Sequence, residues 1–554
     1  MRLAGAALVV LVAFGASCRD LTGIDEYTFP FPECVPGAEP EPCYEGPPGT
    51  ENVGRCRSGT VVCNADGTGL EACNGVGPLP LDDCAATPTA DPALDANCDG
   101  TVDVCRHAIE WVRFVDTAIA IGGGTDGAPG PEAGALVAGA YPGGFTTIAG
   151  FGVPDAGPGD QINPPGYGGY VLSVRATKEF ASLWSSTDGQ SSQNELITHA
   201  AGAGGGLWAV GLDMSPNTPP NATLSGALRF YKLDPSTGQV ALKNSRFTGN
   251  YDNPRIAART RPEGGADVWL GATVEGTWDL DVNAPPEEVQ ASGNDVLLVR
   301  VSEDGTPGSS IVLAGANDQY FETIALGAQS GEVVVAGCHE TPPGTGCGAL
   351  PAEPGYFVAR YDAQGNCLSH AASTLGQAPS ADSCRVGAAL AEPFEGPGVF
   401  LAAHSVATSI RISDCTSGSC TEIQRLDASG TDAKTELLHL GTDSLGNAYV
   451  VFVYNGTLSA MTAIGMSSQT RTSDDVAVAK LHRDPASGAW QIWWLETLSR
   501  GDDDVRFSSG VTAAVTPAGF TYVLGMGRNN IGDVPGPDPI PSQTDKLFLA
   551  RISP

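Results

Sequence analysis

The chain has 554 residues, 42% of them apolar, with 63 Asp and Glu against 29 Lys and Arg and a formal charge of −34. That length allows more than one domain, and so acidic a surface repels nucleic acid and anionic membranes while attracting cations or basic partners. Nucleic-acid binding is excluded on that ground, and fifteen cysteines point to export into an oxidising compartment.

Residues 1–17 read as a signal peptide. Arg2 precedes an apolar run from Leu3 to Phe14, and Gly15-Ala16-Ser17 lead into Cys18. The run is too short to cross a bilayer, and no later segment offers 18 continuous apolar residues. Small residues directly before a cysteine resemble a bacterial lipobox, in which Cys18 becomes the lipidated first residue; Gly15 stands where that motif carries Leu. Membrane attachment is then by a lipid anchor alone. Arg19 in place of an Asp-type retention signal favours the outer membrane or cell surface. Simple cleavage near Ser17, giving a secreted or periplasmic protein, is the alternative.

Residues 18–33 form a polar tether, and residues 34–106 a Cys-, Pro- and Gly-rich module with eight cysteines from Cys34 to Cys105. So small a segment has little apolar core, and disulfides must hold it. Zinc spacing of the Cys-x-x-Cys kind is absent, which leaves a disulfide framework. Within it, Asp95, Asn97, Asp99, Thr101 and Asp103 place oxygen atoms at alternating positions around Gly100, a pattern that wraps hard cations. Arg106 stands where an EF-hand needs its bidentate Glu, so the loop is not an intact EF-hand. Ca²⁺ is expected ahead of copper, because no His or Met accompanies the carboxylates. An Asp-rich turn pinned by Cys98 and Cys105 is the plainer reading. The run "CRSGTVVCNADGTG" followed by "DANCDGTVD" resembles a Cys-rich motif repeated in myxobacterial-type surface proteins and held there to bind metal.

From residue 107 to 554 the pattern becomes all-β. An apolar stretch ending in a small residue recurs seven times: "GALVAGAY" at Gly134, "GLWAVGLD" at Gly206, "DVWLGATV" at Asp267, "EVVVAGCH" at Glu332, "GVFLAAHS" at Gly398, "NAYVVFVY" at Asn447 and "FTYVLGMG" at Phe520. Each is followed by a β-rich run with a basic residue: Arg175, Lys232, Arg300, Arg360, Arg425, Lys480 and Arg551. Short strands and turns at this period predict a seven-bladed β-propeller. One blade reads as "YFETIALGAQSG", "EVVVAGCH", "GYFVARYDAQGN" and "CLSHAAST", with an Asp-x-x-Gly turn before its outer strand; Asp427 to Gly430 reads as an equivalent turn. The chain ends on a third strand, "KLFLARISP", and the domain opens on "AIEWVRFV", a fourth strand without its first three. Pairing 107–115 with the last blade would close the ring.

These repeats resemble the bacterial seven-bladed propeller repeat, "GNAYVVF" at Gly446 and "DDVAVAKLHRD" at Asp474 being the nearest matches, although Ala403 and Phe452 replace its usual Gly. The resemblance implies an extracellular propeller.

The remaining cysteines fall as near neighbours, which predicts local staples Cys338 with Cys347, Cys367 with Cys384 and Cys415 with Cys420. Three blade-to-blade connections share Gly-x-x-Asp and end on Asp252, Asp318 and Asp504. Their carboxylates are expected on the rim that carries the long second-to-third-strand loops, where Ca²⁺ or a basic partner would bind; good turn chemistry explains them equally. His199 and His439 fall in expected first strands, which line a propeller's axis, and structural histidines are the plainer reading. Gly-x-Ser-x-Gly and His-Glu-x-x-His are absent, and Gly122 to Gly127 fits Gly-x-Gly-x-x-Gly without a following helix. The expected function is recognition or scaffolding of an extracellular protein or polysaccharide by a monomer. The alternative is a polysaccharide hydrolase or lyase with its site on the loop-rich face.

Overall fold

Antiparallel strands make up the regular structure of the computed structural model, which describes residues 38–43, 58–64, 73, 109–115, 119–125, 133–141, 146–147, 161–162, 168–175, 180–185, 194–214, 225–234, 239–244, 248–279, 289–348, 350, 352–374, 384–392, 398–462, 465–484, 487–498, 512–527 and 546–554. The chain divides into two compact units, Met1–Cys105 and Arg106–Pro554. In the first, Glu41–Cys43 pairs with Gly59–Val61 and Cys43 is bonded to Cys73. Cys18 and the oxygen ligands expected at Asp95, Asn97, Asp99, Thr101 and Asp103 lie outside the described residues.

The second unit is all-β and propeller-like. One complete sheet shows its grammar: Gln319–Leu326, Val333–His339, Gly355–Tyr361 and Cys367–Thr374 pair in chain order. Every residue of Val333–His339 is buried. Its alternate side chains face opposite ways: Val333 and Val335 pack with Trp269 and Val296 of the preceding sheet, Val334 and Ala336 with Val386 and Phe400 of the following one. A strand covered on both faces reads as a continuous apolar run, hence the repeating "VVVAG"-type signature.

Five large sheets stand where the sequence predicts seven four-stranded ones. Two of the five are double. Strands from Asn194–Ala203 through Pro307–Leu313 join because Ser225 and Gly226 ladder with Asp252 and Tyr251. Strands from Val386–Ala391 through Trp490–Thr497 join because Thr421–Thr442 runs unbroken, its start pairing with Ser409–Asp414 and its end with Ala448–Thr462. The last sheet contains Thr512–Val515, Thr521–Gly527, Lys546–Ile552 and, from the front of the unit, Ile109–Val115, with Ile109 opposite Ile552 and Phe114 opposite Phe548.

Strand Thr421–Thr442 also corrects an expectation. Asp427 to Gly430 is not a turn between third and fourth strands but lies inside this long strand. The second and third strands here, Val399–Val406 and Ser409–Asp414, meet in a tight hairpin at Ala407, so Arg425 falls on the fourth strand instead of the third. Three of the other basic residues share a role, while Arg300 and Arg360 pair instead with Asp267 and Glu332. Lys232, Lys480 and Arg551 stand opposite Trp208, Tyr449 and Tyr522 on the second strand, with Lys480 Nζ 5.4 Å from the Tyr449 ring and the Arg551 guanidinium 3.8 Å from that of Phe520.

The disulfides also depart from nearest-neighbour pairing: the bonds are Cys338–Cys384, Cys347–Cys367 and Cys415–Cys420. Cys338 points from its strand toward the next sheet, where Cys384 leads into Val386–Ala391. Cys347 is thereby left to the outer strand, which begins at Cys367. Only Cys415–Cys420 is the expected staple.

The first strand of a sheet is irregular where the second carries its small residue. Ladders shift between Ile197 and His199, Phe321 and Thr323, and Asp252 and Arg255, opposite Gly211, Gly337 and Gly271 to Thr273. A Cβ on Gly337 would collide with the Tyr320 carbonyl, and one on Gly211 with that of Leu196. At Ala403 the first strand runs without a shift and the glycine stands across from it, as Gly387. Gly337→Ala should therefore cost about 1–3 kcal/mol in urea denaturation. Gly344→Ala, whose methyl meets only ordinary contact, should stay within about 0.5 kcal/mol. Equal midpoints for the two variants would remove the close-approach argument.

Candidate functional site

A bulge takes one residue out of the ladder and re-aims its side chain. In Gln319–Leu326 that residue is Glu322, skipped between Phe321 and Thr323. Arg385, just ahead of Val386–Ala391, reaches toward it with Nη1 3.9 Å from Glu322 Oε1, while its Nε donates to Glu436 Oε1 at 2.7 Å. Nη1 also donates to the Cys384 carbonyl at 3.0 Å, so the Cys338–Cys384 bond anchors the segment that carries Arg385. Arg255, on Thr248–Thr260, feels both Glu322 and Arg385. His199, on Asn194–Ala203, feels Arg255 and His439. The inner strands pack side by side in the order Ile119–Thr125, Asn194–Ala203, Thr248–Thr260, Gln319–Leu326, Val386–Ala391, Thr421–Thr442 and Thr512–Val515, and the last packs on the first. Side chains from non-adjacent members of that series sense one another only if they point to a shared axis.

The environment there is confined. His199, Arg255, Glu322, Arg385, Glu436 and His439 each keep partial solvent contact, yet each lies largely enclosed by protein. Burial raises Glu322 to about 7; Arg255 and Arg385 restrain the rise, and Glu436 and Asp252 add to it. Burial lowers His199 to about 3, helped by Arg255 and His439 and opposed by a hydrogen bond to the Ile256 backbone. Burial and then Arg255 lower His439 to about 4. Both imidazoles are therefore neutral at pH 7. Burial also depresses Arg255, against the attraction of Glu322, but a guanidinium remains charged.

Two atoms of this group have unmet hydrogen-bonding capacity: Arg255 Nε and His199 Nδ1 are buried without a partner. The charge is also one-sided. Ile119–Thr125 and Thr512–Val515 carry no ionisable residue. An outer-edge cavity of about 410 Å³ includes Arg360, Ser369, His370 and Thr416, but its arginine is already ion-paired with Glu332 at 3.3 Å. Among the described residues no group of three His, Cys, Asp or Glu side chains is placed to hold a metal.

Of the residues expected on a binding face, Asp252 contributes its charge to the axial group. Asp318 does not join it: one oxygen accepts from the Asn294 amide at 2.9 Å and the other from the Tyr320 hydroxyl at 3.1 Å, tying a connection to the preceding sheet. Asp504 lies outside the described residues. Arg255, Glu322, Arg385 and Glu436 were not legible as site residues. Their one signal is a charge within or beside a first strand that is otherwise apolar, as in "YFETIAL".

No protein-family description matches the chain, and no curated protein does. Among solved structures, the crystal structure of a protein of unknown function from Bacteroides caccae is similar at 10% identity and a TM-score of 0.27, covering 55% of this chain and 80% of that one. Such a likeness carries no argument, and the fold rests on the strand pairing.

Glu322 gives a pH test. Its folded-state value lies above the ordinary value of 4.5, so its contribution to stability is complete below the unfolded value and fades as pH rises through the folded one. Relative to Glu322→Gln, the wild type should lose on the order of 2 kcal/mol between pH of about 4.5 and about 7, allowing for residual solvent contact. A stability difference that stays constant over that window would show Glu322 to be solvated.

Proposed function

We propose that the chain is an exported, lipid-anchored cell-surface protein that binds or scaffolds an extracellular ligand at the mouth of its axial channel. In this reading the five large sheets act as seven blades closed by strand Ile109–Val115, the two double sheets each counting as two. The cyclic packing of inner strands supports it, as does the Tyr522 hydroxyl, which donates to the Ala133 carbonyl at 2.7 Å from the last sheet to the first. Disulfides across and within sheets support an extracytoplasmic setting. Anchoring through Cys18 and Ca²⁺ binding by Asp95, Asn97 and Asp99 remain part of the proposal on sequence grounds.

The observation that carries the binding role is the axial group itself: acidic, basic and neutral polar side chains converge from four inner strands and from Arg385 just ahead of a fifth, and the Nε of Arg255 is buried without an acceptor. Rigid scaffolds place ligand groups where several elements converge. One feature favours the alternative. A carboxyl held near neutrality beside an arginine is suited to general acid or base work in a polysaccharide hydrolase or lyase.

Purified extracellular polysaccharides and matrix proteins, presented to the full chain, separate the two. Retention that drops at least about tenfold in Arg255→Gln, without new reducing ends or unsaturated products, is the expected outcome. Product release abolished by Glu322→Gln would transfer the assignment to the enzyme. Retention unaffected by Arg255→Gln would remove the channel from either reading.

A further inference from the structure

The recurrent basic residue of the third strand is satisfied in most sheets. Arg300, Arg360 and Arg551 are ion-paired with Asp267, Glu332 and Glu110, and Lys232 donates to the Glu303 carbonyl at 3.3 Å. Lys480 is different. Its Nζ lies 5.4 Å from the centre of the Tyr449 ring and 5.7 Å from that of Trp493, and it makes no hydrogen bond or ion pair among the described residues. Asp443, whose charge acts on it, cannot capture it. One carboxylate oxygen accepts from the Leu445 and Asn447 amides at 3.0 and 2.9 Å. The other accepts from Asn447 Nδ2 at 2.8 Å and the Tyr449 hydroxyl at 3.0 Å.

The rings flanking Lys480 are held in place. Tyr449 stands opposite it on the second strand, fully buried and tied by its hydroxyl. Trp493 comes from a bulge: Lys480 opposes Trp494 and Leu481 opposes Ile492, so Trp493 is the extra residue that the ladder skips. The His482 ring stands edge-on to Trp493 at 4.8 Å, and its Nδ1 is bonded to Asn447 Oδ1 at 2.8 Å. Asp443, Asn447 and His482 thus fix one wall of the site, and Tyr449 is the other.

Ring faces attract an ammonium ion but replace little of its hydration. Burial accordingly lowers Lys480 from the ordinary value of 10.5, against the attraction of Asp443. A lysine so placed can give up its proton, which an arginine does not. Lys480 is half-buried, and its Nζ is not among the polar atoms closed off from solvent without a bond. We propose that Lys480 is a covalent capture site for aldehydes. The Nζ lone pair attacks the carbonyl carbon, the C=O π pair moves to oxygen, and nitrogen passes one proton to that oxygen. The resulting carbinolamine loses its hydroxyl with the second N–H proton as water, leaving a C=N bond. Amine and aldehyde give imine and water, and nothing is oxidised or reduced. The net charge of −34 repels anionic reagents such as acyl phosphates and leaves a neutral aldehyde unhindered. The half-buried Trp493 offers an aromatic aldehyde a stacking surface.

Reductive trapping of the full chain at about pH 7 tests the assignment. Benzaldehyde forms the imine, sodium cyanoborohydride adds hydride to its carbon, and peptide mapping locates the adduct. Lys434, exposed and ion-paired with Asp474, is the internal reference. Lys480 should be labelled at least about tenfold faster than Lys434, the gain in free amine from a pKa lowered by one unit. Unfolding in guanidinium chloride should erase the difference. Trp493→Leu, which opens one wall, should slow Lys480 toward the reference and leave Lys434 unchanged. The wild-type comparison stands alone if the variant fails to fold. A Lys480 rate equal to or below that of Lys434 in the native protein overturns the proposal, as does an excess that persists after unfolding.

Discussion

Crowding at the axis is the constraint on which the structure depends. Inner strands of successive sheets must lie close together there, and their backbones press on the second strands behind them. The carbonyls of Leu196 and Tyr320 leave no room for a side chain at Gly211 and Gly337. The same strands shift register at these points. A glycine on one strand and a bulge on the other are two halves of one accommodation. Through it Glu322 leaves the ladder and joins the axial group, so a packing device becomes the means of building a polar site.

The polar group survives at the axis because it is partly self-neutralising. Arg385 ties two acids from flanking inner strands, and the backbone that carries it is tied by Cys338–Cys384 to the neighbouring sheet. A buried charge without such partners would cost several kcal/mol. The histidines lower the cost differently, by staying neutral. Arg255 is the exception in one respect: its Nε is buried without an acceptor, and only the charge of Glu322 offsets its burial.

Much of the architecture was legible because period-2 burial on both faces writes long apolar runs, and turn residues punctuate them. The meeting of "AIEWVRFV" with the final strand followed from an unpaired strand at each end of the repeat series. Two things were not legible. Continuity of Thr421–Thr442 depends on a hairpin only two residues wide at Ala407 and Thr408, which shifts Arg425 by one strand. Disulfide pairing depends on which face of a strand a cysteine occupies, and sequence proximity does not report that for Cys338. The axial group escaped for a similar reason: its members are distant in sequence, and only the shared axis unites them. His199 and His439 were visible as single residues, and their enclosure was not.

That enclosure is directly measurable. NMR titration of the His199 and His439 imidazoles in the intact protein should show both neutral down to at least pH 5, their values pushed to about 3 and about 4. Titration of either ring near the ordinary value of 6.5, with the fold intact, would contradict a confined axial channel.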